Sequence, residues 1–350
     1  MTTTRRTMLA GGAAIAAGFA APALVRAQSA QPEVKTLSLG FGIDPPFAPH
    51  IVAMKKGWFA EAGFTDVKTQ SFSSGNLAGE ALMAGQIQLW TPGNLPPIAM
   101  AANGVPIVVL GTNCVNWNLE KLVVRDDANV TKPEDLYGIK IALIQGSTSS
   151  AFVHYLAKHY GLDEKKLQLV NLPPPEQLAA FTSKDVQAIL CWEPWPYRAL
   201  AAAPSKVVHS GLFSGFAGNR GERVKVSNNR SLWVTSQDFA KRNPNAAKAI
   251  LAVMVKAQRY VADKANQDEV VTLFSEFQKQ EVGMNKAIWD NFVFDASFDE
   301  AYVNDMARTT EYLVAAGRIR RSVDAMSFSH TGLLREIDPA LVKVDGGWKA

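Results

Sequence analysis

The stretch of this chain most able to do chemistry is Gly146-Ser147-Thr148-Ser149-Ser150, small and hydroxyl-bearing residues set between two elements of different period. Hydroxyls at a helix start can cap it, while the unpaired N–H groups of the first turn point outward with the positive end of the helix dipole. Such a turn suits an oxyanion. A plain structural cap by Ser147 or Thr148 is the competing reading. The positioning elements are legible: Ile139–Ile144 reads as a buried strand, and Phe152, Leu156 and Tyr160 mark the apolar face of a helix. The same device recurs at Ser73-Ser74-Gly75-Asn76, which leads into a helix over Leu77–Ala84. Two further strand ends carry polar or aromatic groups, Thr91-Pro92-Gly93-Asn94 and Trp192-Glu193-Pro194-Trp195.

Several chemistries lack their residues. No G-x-x-x-x-G-K-[ST] occurs, and Gly40-Phe41-Gly42 lacks the third glycine and helix start of a dinucleotide fingerprint. No cofactor is expected. The five histidines are scattered, and His154 and His159 do not share a helix face, so no metal site is expected. Ser149 and His154 would be one helical turn off line for a nucleophile and its base, and no G-x-S-x-G elbow is present; the chain is not expected to be an enzyme. Cys114 and Cys191 have no metal or redox spacing and read as buried thiols.

Residues 1–27 read as a leader. Arg5-Arg6 opens a twin-arginine pattern, Ala10–Val25 is mildly apolar but broken by glycines and Pro22, and Val25-Arg26-Ala27 is a small-residue cleavage site. The pattern implies export of a folded chain to the bacterial periplasm. Removing the leader takes away Arg5, Arg6 and Arg26, leaving 33 basic against 32 acidic residues, so the formal +4 becomes +1. A near-neutral chain gives no support for nucleic-acid binding. The 323 residues that remain suffice for two lobes with separate cores.

Strands are expected at Thr36–Phe41, Val67–Phe72, Ile87–Trp90 and Val105–Leu110, with helices between them, giving a mostly parallel sheet. Gly42-Ile43-Asp44-Pro45-Pro46 reads as a turn, Leu122–Arg125 with Asp126-Asp127 as a connector, and Ser214–Arg223 as a surface loop. A second lobe would hold strands Ile139–Ile144, Leu167–Asn171 and Val186–Cys191. Ser231–Val234 then leads to C-terminal helices that cover the first lobe. Asn243-Pro244 has an N-cap signature, and Ser297-Phe298-Asp299-Glu300 reads as a capping box. In such sheets ligands gather at the carboxyl ends of strands.

Gly57-Trp58-Phe59, Glu61, Gly63-Phe64, Gly75, Leu89–Pro97, Gly146-Ser147-Thr148 and Trp192-Glu193-Pro194, in that order, resemble periplasmic substrate-binding proteins of the nitrate/sulfonate/taurine class. The resemblance covers nearly the whole chain after the leader. It implies an α/β chain with the type II periplasmic-binding fold, two three-layer lobes joined by a two-stranded hinge. Lobe 1 would comprise 28–125 and 226–350, and lobe 2 would comprise 126–225. It further implies a receptor that traps a small anionic solute and hands it to a membrane ABC permease, as a monomer in transient contact with that partner. Carried over by position, the solute-facing residues would be Ser74, Gly75, Asn76, Thr91, Asn94, Ser147, Thr148, Ser149, Trp192 and Glu193. Trp192, Trp195 and Trp117 would pack the organic part of the solute. Glu193 would pair with a solute amine, or fix Arg198 or a backbone N–H. Two departures stand out: Gly93-Asn94-Leu95 replaces the Gly-Asp-small run of many sulfonate binders, and the Cys-rich run of thiamine-pyrimidine relatives is missing. An enzyme on the same fold and a solute sensor without transport are the alternatives.

Overall fold

The computed structural model describes residues 31–72 and 75–349. The leader lies outside the described residues. Among the described residues, ten strands form two five-stranded sheets. In chain order they are β1 (Thr36–Phe41), β2 (Asp66–Ser71), β3 (Leu89–Trp90), β4 (Ile107–Val115), β5 (Glu120–Arg125), β6 (Lys140–Leu143), β7 (Gln168–Asn171), β8 (Ala188–Trp192), β9 (Ser205–Ser210) and β10 (Arg230–Ser236).

The first sheet has the order β2-β1-β3-β10-β4 and the second β7-β6-β8-β5-β9. In the first, β1 runs parallel to β2 and β3, while β10 is antiparallel to β3 and β4. In the second, β6 runs parallel to β7 and β8, while β5 is antiparallel to β8 and β9. Each sheet therefore holds four strands of one direction and one reversed strand. The reversed strands, β5 and β10, are the first that the chain enters after each passage between sheets. β4 stands at the edge of the first sheet, yet all of its residues are buried.

The Leu122–Arg125 stretch, expected to be a connector, is strand β5 of the second sheet, buried along its length except at Lys121. The passage out of the first sheet accordingly lies between Val115 and Glu120 and not after Arg125. The chain returns between Ser210 and Arg230. The two passages touch where the Asn116 N–H donates to the Asn229 carbonyl at 2.9 Å and the Gly211 N–H to the Glu120 carbonyl at 3.0 Å.

The long C-terminal helix Pro244–Ala262 buries Ala247, Ile250, Leu251, Met254 and Val261 on one face, the period-3.6 stripe of an amphipathic helix. The cap expected from Asn243 does not form. Glu33 caps this helix from far upstream, accepting from the Asn245 N–H at 3.0 Å and the Ala246 N–H at 2.8 Å. Likewise helix Glu300–Ala315 is capped by Asp299, which accepts from the Tyr302 N–H at 2.7 Å, whereas Ser297 bonds to Asp295. Asp299 sits immediately before the helix, where a carboxylate can reach the third residue's N–H. Cys114 and Cys191 are free thiols, both buried.

Candidate functional site

A cavity of about 440 Å³ lies where the carboxyl ends of six parallel strands converge, three from each sheet. From the first sheet come Phe41–Asp44 after β1, Ser71 and Phe72 at the end of β2, and Trp90–Gly93 from β3. Ser147 and Thr148 after β6, Pro174 and Pro175 after β7, and Trp192 and Trp195 from β8 complete the wall from the second. Asn116 and Asn229 of the two passages close the back, beside Ser231. This is where an open α/β sheet places its ligands, because helix N-termini and variable turns meet there.

Of the residues expected at the site, Gly75, Thr91, Ser147, Thr148 and Trp192 line this cavity. Ser74 and the side chain of Asn76 lie outside the described residues. Asn94, Ser149 and Glu193 do not form the wall, each being 1% exposed or less. The Asn94 amide instead donates to the Asn228 carbonyl at 3.1 Å and Thr309 Oγ1 at 2.8 Å, tying the first sheet's turn to a helix. Glu193 pairs with Lys121 and accepts from the Tyr197 N–H at 3.1 Å, so its charge is spent on structure. Trp117 is also absent from the wall: its Nε1 donates to Asp305 at 2.7 Å and Lys225 Nζ lies 3.6 Å from its ring centroid.

The hydroxyls of the Ser147–Ser149 turn point inward. Ser147 is the cap, accepting from the Ser149 N–H at 3.2 Å while its own O–H donates to the Ile144 carbonyl at 2.7 Å. Thr148 donates to Glu120 Oε1 at 2.5 Å, and Ser149 to the same oxygen at 3.3 Å. Ser227 of the return passage donates to Glu120 Oε2 at 3.1 Å. Glu120 is fully buried, and burial raises its carboxyl to about 6 against the lowering effect of those three hydroxyls. What the turn offers the cavity is therefore the Thr148 N–H, a first-turn donor without a protein partner among the described residues.

Thr91 Oγ1 lies 2.8 Å from His50 Nε2. This hydroxyl–imidazole contact lacks the third group that orients a catalytic base, since His50 Nδ1 is buried without a partner. Burial also holds His50 neutral, lowering it to about 3. Such an imidazole is a poor base at neutral pH.

Against this geometry stands the comparison with known proteins. A family model described as the NMT1-like family matches residues 30–275. The chain belongs to the NMT1-like family. Among its relatives, the taurine-binding periplasmic protein of Escherichia coli (strain K12) is 31% identical over 216 residues, which is 61% of this chain and 64% of that protein. Nitrate/nitrite binding protein NrtA of Nostoc sp. is 26% identical over 280 residues, 73% of this chain and 61% of the relative. The NMT1-like chain thus spans a little over three fifths of the length of these two curated relatives. The crystal structure of the periplasmic aliphatic sulphonate binding protein SsuA from Escherichia coli superposes with a TM-score of 0.69 at 19% identity, covering 84% of this chain and 97% of that one. The periplasmic nitrate-binding protein NrtA from Synechocystis gives 0.71 at 21%, covering 89% and 90%. These likenesses establish the periplasmic-binding fold with two α/β lobes for this NMT1-like protein.

Sequence reasoning missed several wall residues. Asp44, Phe41 and Phe47 sit at the first strand's end, where Gly42-Ile43-Asp44-Pro45-Pro46 signalled only a turn. The rule that ligands meet strand ends could have marked Asp44. Nothing local marks Asn116, Asn229 or Glu120, whose roles come from the passages between sheets.

Proposed function

We propose that this protein is an extracytoplasmic solute-binding receptor that captures a small organic anion, a sulfonate or a carboxylate, between its lobes and delivers it to an ABC importer. The observation that carries this reading is the single cavity shared by three strand ends of each sheet. The names of the relatives, taurine-binding and nitrate-binding, point the same way. A volume of about 440 Å³ walled by Phe41, Phe47, Phe72, Trp90, Trp192 and Trp195 suits an organic body more than a four-atom ion. The acid group would rest at the N-terminus of helix Thr148–Tyr160, against the Thr148 N–H. A helix terminus contributes about 0.3–1 kcal/mol there, and up to ~2 kcal/mol when partly buried. Bending of the passages at Asn116–Leu119 and Gly211–Asn229 would open and shut the cleft. The periplasm is the proposed location and the twin-arginine leader the proposed route.

Catalysis on the same fold is less well supported, because the hydroxyl–imidazole pair at Thr91 and His50 lacks an orienting acid and a basic imidazole. A thermal-shift screen of the purified chain against sulfonates, carboxylates and nitrate tests the proposal. A solute at a hundredfold excess over its dissociation constant should stabilise the protein by about 2.7 kcal/mol. Failure of every anion to raise the melting temperature would defeat it.

A further inference from the structure

The cavity wall is electrostatically lopsided. Among the described residues that line it, Asp44 is the one ionisable side chain, and no lysine, arginine or histidine is present. The nearby cations are already engaged. Lys121 pairs with Glu193, Arg230 with Asp305, and Arg198 stacks 4.9 Å from the Trp195 ring centroid.

Asp44 is half-buried, and among the described residues no other side chain bonds or pairs with its carboxyl, which its own backbone N–H alone approaches. Its Oδ1 lies against Gly42, where a Cβ would stand 3.0 Å from that oxygen and 3.2 Å from the Phe47 ring. Phe41, Phe47 and His50 form an aromatic bowl beside it, with ring centroids 5.5–5.7 Å apart. The wall residues Asn116 and Asn229 donate their amide N–H groups to Ser231 and Thr148, and each keeps a buried amide oxygen without a partner. A carboxylate and aromatic faces, with no cation beside them among the described residues, make a surface that favours positive charge. Bare anions are repelled by such a surface, and protonated amines are held by it through ion pairing and cation–π attraction.

We infer that the captured solute is zwitterionic, carrying besides its acid group a protonated amine that seats against Asp44 and the Phe41 and Phe47 rings. This rests on the solute-receptor reading above and names its substrate class. The acid end lies at the Thr148 N–H and the ammonium end at Asp44, with the carbon body between the tryptophans.

The test is calorimetric titration of the purified chain with matched pairs that differ by the amine alone: 2-aminoethanesulfonate against ethanesulfonate, 4-(aminomethyl)benzenesulfonate against 4-methylbenzenesulfonate, and 4-(aminomethyl)benzoate against 4-methylbenzoate. At least one amine-bearing member should bind tenfold or more tightly than its partner. In Asp44→Asn the ratio should fall below about threefold, with the melting temperature unchanged or raised. Equal or tighter binding of the amine-free members, or a ratio that survives Asp44→Asn, overturns the inference while leaving the receptor reading intact. Binding of no acid of either kind defeats both. Should Asp44→Asn fail to fold, the ratio measured on the parent chain decides.

Discussion

Asp305 gathers three donors that belong to three different segments. Trp117 of the outgoing passage donates to its Oδ2 at 2.7 Å, Arg230 at the start of β10 donates to the same oxygen at 2.7 Å, and Lys225 of the return passage meets Oδ1 at 2.7 Å. Asp305 is 1% exposed and Arg230 3%. Replacing Asp305 by Asn keeps the volume and removes the charge, which leaves Arg230 buried beside a neutral amide. Breaking a buried pair by removing one partner costs about 3–5 kcal/mol. Asp299 lies 3.9 Å from Arg230 and supplies some compensation, so the lower end of that range is expected. For the roughly 320 described residues, an unfolding entropy of about 2.1 cal/mol/K per residue turns ~3 kcal/mol into a fall of roughly 5 °C in melting temperature. Urea denaturation of the parent and Asp305→Asn, with thermal melts alongside, measures this. The variant should also change the dependence of binding on the passages, because its carboxylate pins both of them to helix Glu300–Ala315. A destabilisation under 1 kcal/mol would refute the view that Asp305 holds the two passages together.

Three further outcomes follow from the same geometry. Trp192→Ala removes an aromatic wall from the cavity and should weaken solute binding by tenfold or more in titration while circular dichroism stays that of the parent; undiminished affinity would misplace the cleft. In Gly211→Ala the new Cβ would fall 1.7 Å from the Trp117 carbonyl oxygen and 2.8 Å from Ser227 Cβ, so the passages must move apart. A loss of about 1–3 kcal/mol is expected in denaturant titration, and a neutral result would show that the passages yield freely. Burial raises the Asp44 carboxyl from 3.8 to about 7, with no cation facing it from Phe41, Phe47, His50 or the Cys114 and Cys191 thiols. The folded state then holds a proton that the unfolded state has lost between about pH 4 and pH 7, so stability falls as pH rises through that window. Glu120, raised from 4.5 to about 6, adds to the same trend. Asp44→Asn should therefore melt higher than the parent at pH 8 and level with it near pH 4; a lower melting temperature at pH 8 would contradict the assignment.

The strands that alternate or run apolar between turn residues were legible, and Thr36–Phe41 is reproduced to the residue in β1. β5 was not, since Leu122-Val123-Val124-Arg125 beside two aspartates looks like any short apolar link. Its character as a strand comes from pairing with β8 and β9, partners some 65 to 90 positions away. Its neighbour β9, Ser205–Ser210, went unread for the same reason. The turns that reach the cavity were legible from residue type, but the direction of their hydroxyls was not. Thr148 and Ser149 turn inward because Glu120, 28 and 29 positions upstream, needs donors once it is buried. Helix starts show the same limit: Asp299 is a local cap that sequence misplaced by two residues, whereas Glu33 caps Pro244–Ala262 across more than 200 positions.

A cleft whose described wall holds one carboxyl group and no cation selects by repulsion as well as by attraction once that group is ionised. If roughly round, a 440 Å³ cavity is about 9 Å across, so above about pH 8, where a carboxyl raised to about 7 is ionised, an anion at the Thr148 end and Asp44 at the other repel by about 2 kcal/mol at an effective dielectric near 20. That penalty is about thirtyfold in affinity, and it applies to every simple anion that shares the acid group of the proper solute. An ammonium beside Asp44 removes the penalty and adds an attraction at shorter range. The helix terminus alone cannot discriminate in this way, since its dipole greets all anions alike. Discrimination among acids therefore resides in the first sheet's strand end at Asp44, while capture of the acid group resides in the second sheet's helix at Thr148. Each lobe then holds one half of the recognition, and both halves are satisfied together when the lobes enclose one zwitterion.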